Sequence, residues 1–430
     1  MSDFKLKFIL RQHTPLIHFQ HDQAGATLRA TEVKPKLDRF LTGKLGEQAV
    51  KDWRIGEHKA LNYKIRFING RYLSGIPLGT KPKTDRDGRT KYFTDPEMYP
   101  QVLANMGGKD SAQELKHFRM YETVEVEIFS FQEDLIDAVG KVIPAFFATH
   151  NFGNRQSKGF GSFYLDTQDA LYVDPAAVLL TEYPRLVYWE MEDNLPVDDI
   201  FSDIDILYRL MKSGFNFPDH PMKVTDRGRK APDFENKQDF ATYQPSFLKN
   251  YFIRRYHIGS EKRAIKESLF RPGSRIAKDP DLKENNYIRA ILGTAEFFEY
   301  RDKDRHGVVK IESDAVERFQ SAVTFKVFGD KIFLLPGEWK EISNKSFVFS
   351  TDRDRTRVQT PNKDKVNFDL AGFLVEFATH FNDMKDDEVA RLDDVIADVG
   401  RRRNTPRLIK DYLNCLENVE MKTLQTKTNV

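Results

Sequence analysis

The sequence predicts an α+β chain of two ferredoxin-like (RRM-like) domains carrying helical and loop insertions. Three observations carry that expectation. Period-2 apolar alternations and amphipathic helix-length runs follow one another as strand, helix, strand, strand, helix, strand over residues 4–165. A long polar insertion, 77–120, interrupts the order without breaking it. The second half repeats enough of the pattern for a second, decorated copy. The expected domains are 1–170 and 171–430, with the boundary between Asp166 and Pro175.

Phe4, Leu6, Phe8 and Leu10 recur at every second position, as on a half-buried strand. From Val33 to Trp53, Leu37, Phe40, Leu41, Leu45, Ala49 and Trp53 recur at helical spacing. Asn62 to Ile68 alternates again and meets Asn69-Gly70, a turn signal, so Arg71 to Ile76 is expected to pair back on it. Glu122 to Phe131 is the cleanest strand. Asp134 to His150 is a helix with Leu135, Ile136, Val139, Val142, Ile143 and Phe146 on one face. Gly161 to Leu165 closes the unit as a short strand. In the second half, Arg185 to Glu190 and the hairpin Ser321 to Phe328 with Lys331 to Leu335 read as strands. Helices are expected at Val197 to Lys212, Phe247 to Ile258, Glu261 to Phe270, Asn285 to Gly293 and Phe368 to Phe381. Residues 215–245 read as an exposed loop.

The 430 residues are 40% apolar with 34 phenylalanines, enough for a substantial core. One cysteine, Cys415, excludes a disulfide framework and a cysteine-built zinc site, which fits a reducing compartment and a cytoplasmic location. The start, MSDFKLKFIL, lacks the apolar core of a signal peptide, and no run reaches membrane-spanning length. Net charge is only +2, yet charge is segregated. Residues 187–205 hold Glu190, Glu192, Asp193, Asp198, Asp199, Asp203 and Asp205 with no base. Residues 249–278 hold nine bases against Glu261 and Glu267. Further bases cluster at 71–91 and 401–410. Such segregation points to polyanion-facing and partner-facing surfaces, against the plainer alternative of solvated helix faces.

The segment NRQSKGFGSFYL (154–165) concentrates these themes. It lacks a dinucleotide fingerprint's third glycine and stands between helix and strand, the wrong order for that motif. No G-K-[ST] follows, so it is not a Walker loop. Gly159 and Gly161 would let the backbone approach a phosphate, with Arg155 and Lys158 adding charge. Phe160 would either stack on a base or anchor the loop in the core. The alternative is a glycine turn entering an edge strand.

The order helix, basic residues, S-K-G-F-G-S-F, strand resembles the glycine-rich loop of the RAMP superfamily of CRISPR-associated RNA-binding proteins. Residues 13–41, HTPLIHFQHDQAGATLRATEVKPKLDRFL, are similar to the first strand, loop and helix of the first subunit of type III-B (Cmr) effector complexes. Glu32, Lys34 and Pro35 fit that pattern, while Lys36-Leu37-Asp38 replaces its small-residue turn. Phe319 to Phe328 echoes a strand of the family's second half. The resemblance implies a non-catalytic RNA-binding subunit with no cofactor and no membrane contact. Its partners would be guide (CRISPR) RNA, target RNA and other RAMP subunits, and its binding would be sequence-independent. Candidate RNA contacts are then His18, His21, Arg29, Lys34, Lys36, Arg155, Lys158, Gly159, Phe160 and Gly161. Lys81, Lys83 and Arg86, on a basic hairpin tipped by Asp87-Gly88, and Arg227, Arg229, Lys230, Arg254 and Arg255 join them.

Two other function classes compete. His13, His18 and His21 lie close together near Asp22, which admits a metal-independent endoribonuclease that matures guide RNA by acid–base chemistry. H-x-x-H with an aspartate in a loop is a weak metal signal. Asp386, Asp387, Asp393 and Asp394 have the spacing of a solvated helix face, not a two-metal centre. A protein-interaction scaffold would use the acidic stretch 187–205 and the helix at 368–381.

Overall fold

The computed structural model describes residues 4–17, 27–77, 80–84, 90–94, 117–192, 197–217, 242–270, 282–302, 305–398 and 407–426. The first unit of the expected pattern is present in full. It comprises β1 (Lys5–Gln12), α1 (Ala30–Leu45), β2 (Lys64–Asn69), β3 (Thr123–Phe129), α2 (Glu133–Thr149) and β4 (Phe163–Leu165). The sheet order is β2-β3-β1-β4 and each neighbouring pair is antiparallel. That split order is the ferredoxin-like one. Phe8 and Leu10 of β1, Val124, Val126 and Ile128 of β3, and Val33, Leu37 and Leu41 of α1 are buried in one core. Leu135, Val139, Ile143, Phe146 and Phe147 of α2 join them, so two amphipathic helices cover one sheet face.

A second sheet repeats the order. After α3 (Pro175–Glu182) come β5 (Arg185–Glu190) and α4 (Val197–Lys212), then β6 (Val323–Phe328) and β7 (Lys331–Pro336). Next are α5 (Leu370–Asp398), α6 (Arg407–Asn418) and β8 (Lys422–Gln425). The strands lie in the order β6-β7-β5-β8. The chain is therefore α+β with two split sheets.

Several local expectations need correction. α1 ends at Leu45, because Gly46 takes φ +86° and donates its N–H to Thr42; Trp53 belongs to a separate 3-10 turn. Asn69-Gly70 is not a hairpin turn. Strand 72–77 pairs with 117–121 instead, and a methyl on Gly70 would lie 2.2 Å from Thr123 Oγ1, so the glycine serves a close strand approach. The helix expected over 285–293 is a strand, Glu284–Asn286, then a 3-10 turn, Ile288–Leu292. The predicted helix at 368–381 is the start of the much longer α5. A four-stranded antiparallel sheet, 297–302, 305–312, 346–350 and 355–359, was not anticipated.

The chain divides into two compact units that do not follow one cut in the sequence. The first is 1–204 with 324–335 and 422–430; the second is 205–323 with 336–421. Both split sheets lie essentially in the first, against the single boundary expected at 166–175. The second holds helix Phe247–Tyr256, the unanticipated sheet, α5 and α6. Within it Phe215 stacks on Tyr412 at 4.1 Å, and Cys415 of α6 is buried. Among the described residues no helix is long and apolar enough to cross a membrane.

Candidate nucleic-acid interface

The loop from α2 to β4 is held by hydrogen bonds along its whole length. Gly161 N–H donates to Pro15 O (2.8 Å), Asn154 N–H to Ile17 O (2.7 Å) and Gly153 N–H to Glu32 Oε1 (2.6 Å). Thr14 Oγ1 donates to Gly159 O (2.6 Å) and accepts from Ser162 N–H (2.9 Å). On the β6 side, Asn151 Nδ2 donates to Phe325 O (2.8 Å), Phe325 N–H to Ser157 O (3.2 Å) and Ser162 Oγ to Val327 O (2.6 Å). Lys158 forms a parallel bridge with Phe325.

This changes the role of the glycines. Gly153, Gly159 and Gly161 have φ of 77°, 85° and 67°. A methyl on Gly161 would lie 1.9 Å from Phe152 O, and one on Gly153 would lie 2.5 Å from Ile17 O. Their absent side chains serve close packing of protein on protein. The N–H groups of Gly159 and Gly161, expected to face phosphate, are spent on Gln156 O and Pro15 O. Phe160 is 1% exposed and stacks on Phe201 at 3.9 Å, so it anchors the core and is no base platform.

Two candidate lysines also turn inward. Lys36 Nζ donates to Gln156 Oε1 (2.9 Å), Glu32 Oε1 (3.2 Å) and Asn151 O (3.2 Å). Burial lowers its pKa, and Glu32 pulls it back up. Lys36 and Glu32, one turn apart on α1, clamp the loop. Lys34 Nζ donates to Leu61 O (2.7 Å) and Asp38 (2.9 Å) and lies 4.0 Å from the Tyr63 ring centroid. Both lysines are corrected from RNA contacts to structural ties. Arg29 is half-buried at the start of α1.

Beneath the loop lies Lys326 of β6, fully buried, with Nζ donating to His150 O (2.8 Å) and Phe163 O (3.1 Å). Burial holds its pKa well below the usual range, and Lys36 adds to this. His150 is lowered to about 4 by burial, and His13 to about 3 by burial together with Lys326 and Arg11. His13 Nδ1 accepts from Gly329 N–H (3.0 Å), and its Nε2 is buried. This imidazole is a neutral structural group with neither nitrogen offered to a substrate.

Of the other candidates, Arg155 and Lys158 lie half-buried on the loop, and Arg155 holds φ 58°. Arg254 and Arg255 are exposed on helix Phe247–Tyr256 in the second unit. The Arg255 guanidinium pairs with Glu376 and lies 5.6 Å from the Tyr251 ring centroid, while that of Arg254 lies 5.9 Å from Phe247. Lys81 and Lys83 fall on strand Thr80–Thr84, paired with Thr90–Thr94; their side chains lie outside the described part. His18, His21, Arg86, Arg227, Arg229 and Lys230 lie outside the described residues.

The face of the first sheet turned away from the helices bears ion pairs, with the exposed Phe129 at the end of β3, whose ring centroid lies 4.9 Å from that of Phe131. Lys7 Nζ reaches Glu127 (2.7 Å) and Glu125 (3.5 Å), and Lys5 Nζ reaches Glu127 (3.0 Å). RNA-recognition sheets use exposed aromatics on their central strands. Here the middle of β1 and β3 carries lysine and glutamate, and the one exposed ring on these two strands among the described residues is Phe129. Among the described residues no His, Cys, Asp and Glu converge as a metal site.

Two family models match the sequence: the Cmr1 N-terminal domain over residues 3–215 and the Cmr1 C-terminal domain over 243–398. The chain belongs to the Cmr1 family. As such it is a subunit of a type III-B Cmr complex, in the RAMP superfamily. None of the curated proteins matches it. Among solved structures, it is similar to the apo crystal structure of Cmr1 from Pyrococcus furiosus. The two share 12% identity over 78% of this chain and 89% of that one, with a TM-score of 0.34.

In this Cmr1-family chain, sequence reasoning missed the residues that hold the loop: Glu32, Asn151, Ser162 and Lys326. The i,i+4 pair Glu32 and Lys36 was a legible signal. So was Lys326, a lone base inside the apolar strand VTFKVF.

Proposed function

We propose that this chain is a non-catalytic RNA-binding subunit of a type III-B effector ribonucleoprotein, holding guide RNA and helping capture target RNA. The observation that carries the proposal is membership of the Cmr1 family across both halves of the chain. Two ferredoxin-like sheets support it, as do the exposed bases Arg254 and Arg255 and the half-buried Arg155; the Lys158 ammonium is buried. The contacts are to phosphate and depend on charge, because a guide varies in sequence. The Gly-rich loop acts as a rigid mount for Arg155, and its own backbone takes no part.

The test is RNA binding by fluorescence anisotropy, with unrelated single-stranded RNAs across a salt series. Affinity should fall steeply with salt, and Arg155→Glu with Arg254→Glu should weaken every RNA alike. Failure of the chain, alone or in its complex, to bind RNA refutes the proposal. Incubation with guide-repeat RNA in EDTA should leave the RNA intact; cleavage would establish the endoribonuclease instead.

A further inference from the structure

The register of β2, β3 and β1 lays out the open face of the first sheet as three rows. Lys64, Phe129 and Lys5 form the first row, and Arg66, Glu127 and Lys7 the second. Ile68, Glu125 and Ile9 form the third, with Ile9 exposed. At the first row β3 ends, and two residues on the chain presents Phe131, 80% exposed. Its ring meets that of Phe129 edge to face, with centroids 4.9 Å apart and an interplanar angle of 81°. The backbone beneath the rings is pinned by the buried Ser130, whose N–H donates to Phe4 O (3.1 Å) and whose Oγ donates to Asn62 O (2.6 Å). Two large rings held in water on a fixed backbone mark a surface that another molecule covers.

Charge on this face is divided by strand. On the β1 side the bases are taken: Glu127 pairs with Lys5 (3.0 Å) and Lys7 (2.7 Å), and Arg11 pairs with Asp166 (3.3 Å). On β2, the end strand of the sheet, Lys64 and Arg66 are exposed, and neither makes an ion pair among the described residues. The face therefore offers two unneutralised cations along one rim, a ring pair at one end, and the carboxylates of Glu125 and Glu127 down the middle strand. A nucleic-acid strand carries a negative charge at every residue, so one crossing the face from Lys64 and Arg66 would run over those two carboxylates. A polypeptide has no such constraint. It can confine its own carboxylates to the β2 rim and lay an apolar side chain on the rings.

We propose that this face docks an acidic segment of a partner protein, with carboxylates at Lys64 and Arg66 and an apolar side chain seated on Phe129 and Phe131. The rings act as the anchor of the contact, and the two bases form its polar rim and fix its orientation. The inference concerns a protein contact and stands apart from the RNA-binding reading.

The experiment puts the photo-crosslinker p-benzoylphenylalanine in place of Phe131 in the full chain and irradiates the assembled complex. The crosslinked peptide should come from a partner protein and carry Asp or Glu within a few residues of an apolar attachment point. Lys64→Glu with Arg66→Glu should cut the crosslink yield by about tenfold or more, while Lys64→Arg with Arg66→Lys should retain it. Thermal melting confirms that each variant is folded. Phe131→Ser should weaken retention of the chain in the complex on dilution and leave its affinity for unrelated RNAs unchanged. Crosslinking to RNA, or a loss of RNA affinity in Phe131→Ser, overturns the proposal in favour of a nucleic-acid face. A crosslinked peptide without carboxylates, an unchanged yield in the folded glutamate pair, or an incorporated chain that gives no crosslink overturns it outright.

Discussion

Gly161 shows how one residue couples sequence to fold. Its φ of 67° and the 1.9 Å approach that a methyl would make to Phe152 O leave room for hydrogen alone. Gly161→Ala should therefore destabilise the chain by more than about 2 kcal/mol in denaturant unfolding. Gly43, inside α1 with open space around it, is the contrast, and Gly43→Ala should stabilise by about 0.5–1 kcal/mol. The imidazoles make a pH prediction. Folded His13 and His150 titrate at about 3 and about 4 because burial disfavours their charged forms. In the unfolded chain each takes up a proton as pH falls through about 6.5, and the folded state does not. Their contribution is thus complete above that pH and is lost as pH falls towards the folded values. The thermal midpoint should drop between about pH 7 and about pH 5, and His13→Asn with His150→Asn should reduce that drop. The two glycines and the basic pair beside them were legible as a special loop. That Phe160 would find Phe201 and Lys36 would find Gln156 was not, since those partners sit 41 and 120 positions away.

At the scale of elements, the alternation of β1 and β3 sets charge pairs on the open face of a ferredoxin-like sheet. The alternation that buries Phe8, Leu10, Val124 and Val126 places Lys5, Lys7, Glu125 and Glu127 on the other side. There the lysines hold the Glu127 carboxyl down to about 2, while Lys64 and Arg66 of β2 stay exposed on the same face. Lys7→Ala should change stability by no more than about 1 kcal/mol and leave the salt slope of RNA binding unaltered. A shallower slope would return the open face to the interface. Strongly periodic elements were legible: α4 runs Val197–Lys212, as its spacing predicts. The sheet at 297–359 was not, because its strands expose Phe297 and Val308 at 53% and 55% and so blur the inside–outside alternation.

For the whole molecule, the noncontiguous first unit has a consequence for dissection. Phe328, Phe333 and Leu335 belong to the same core as α1 and α2, and β6 supplies acceptors to Asn151 and Ser162. A fragment ending at residue 170 would expose that apolar surface and leave those groups unpaired. It should lack a cooperative thermal transition, whereas the full chain should melt cooperatively. By itself the sequence determined the order of strands and helices over residues 4–165, the α+β class, the basic stretch at 249–278 and the resemblance that the family models bear out. These follow from side-chain periodicity and local motif, which act over a few residues. Only the tertiary structure decided that the Gly-rich loop is a packed junction, that Lys34 and Lys36 face inward, and that Arg289 meets the basic stretch at Glu261. Each of those outcomes depends on burial and on partners brought from distant segments, and no local pattern encodes which of them a side chain will meet.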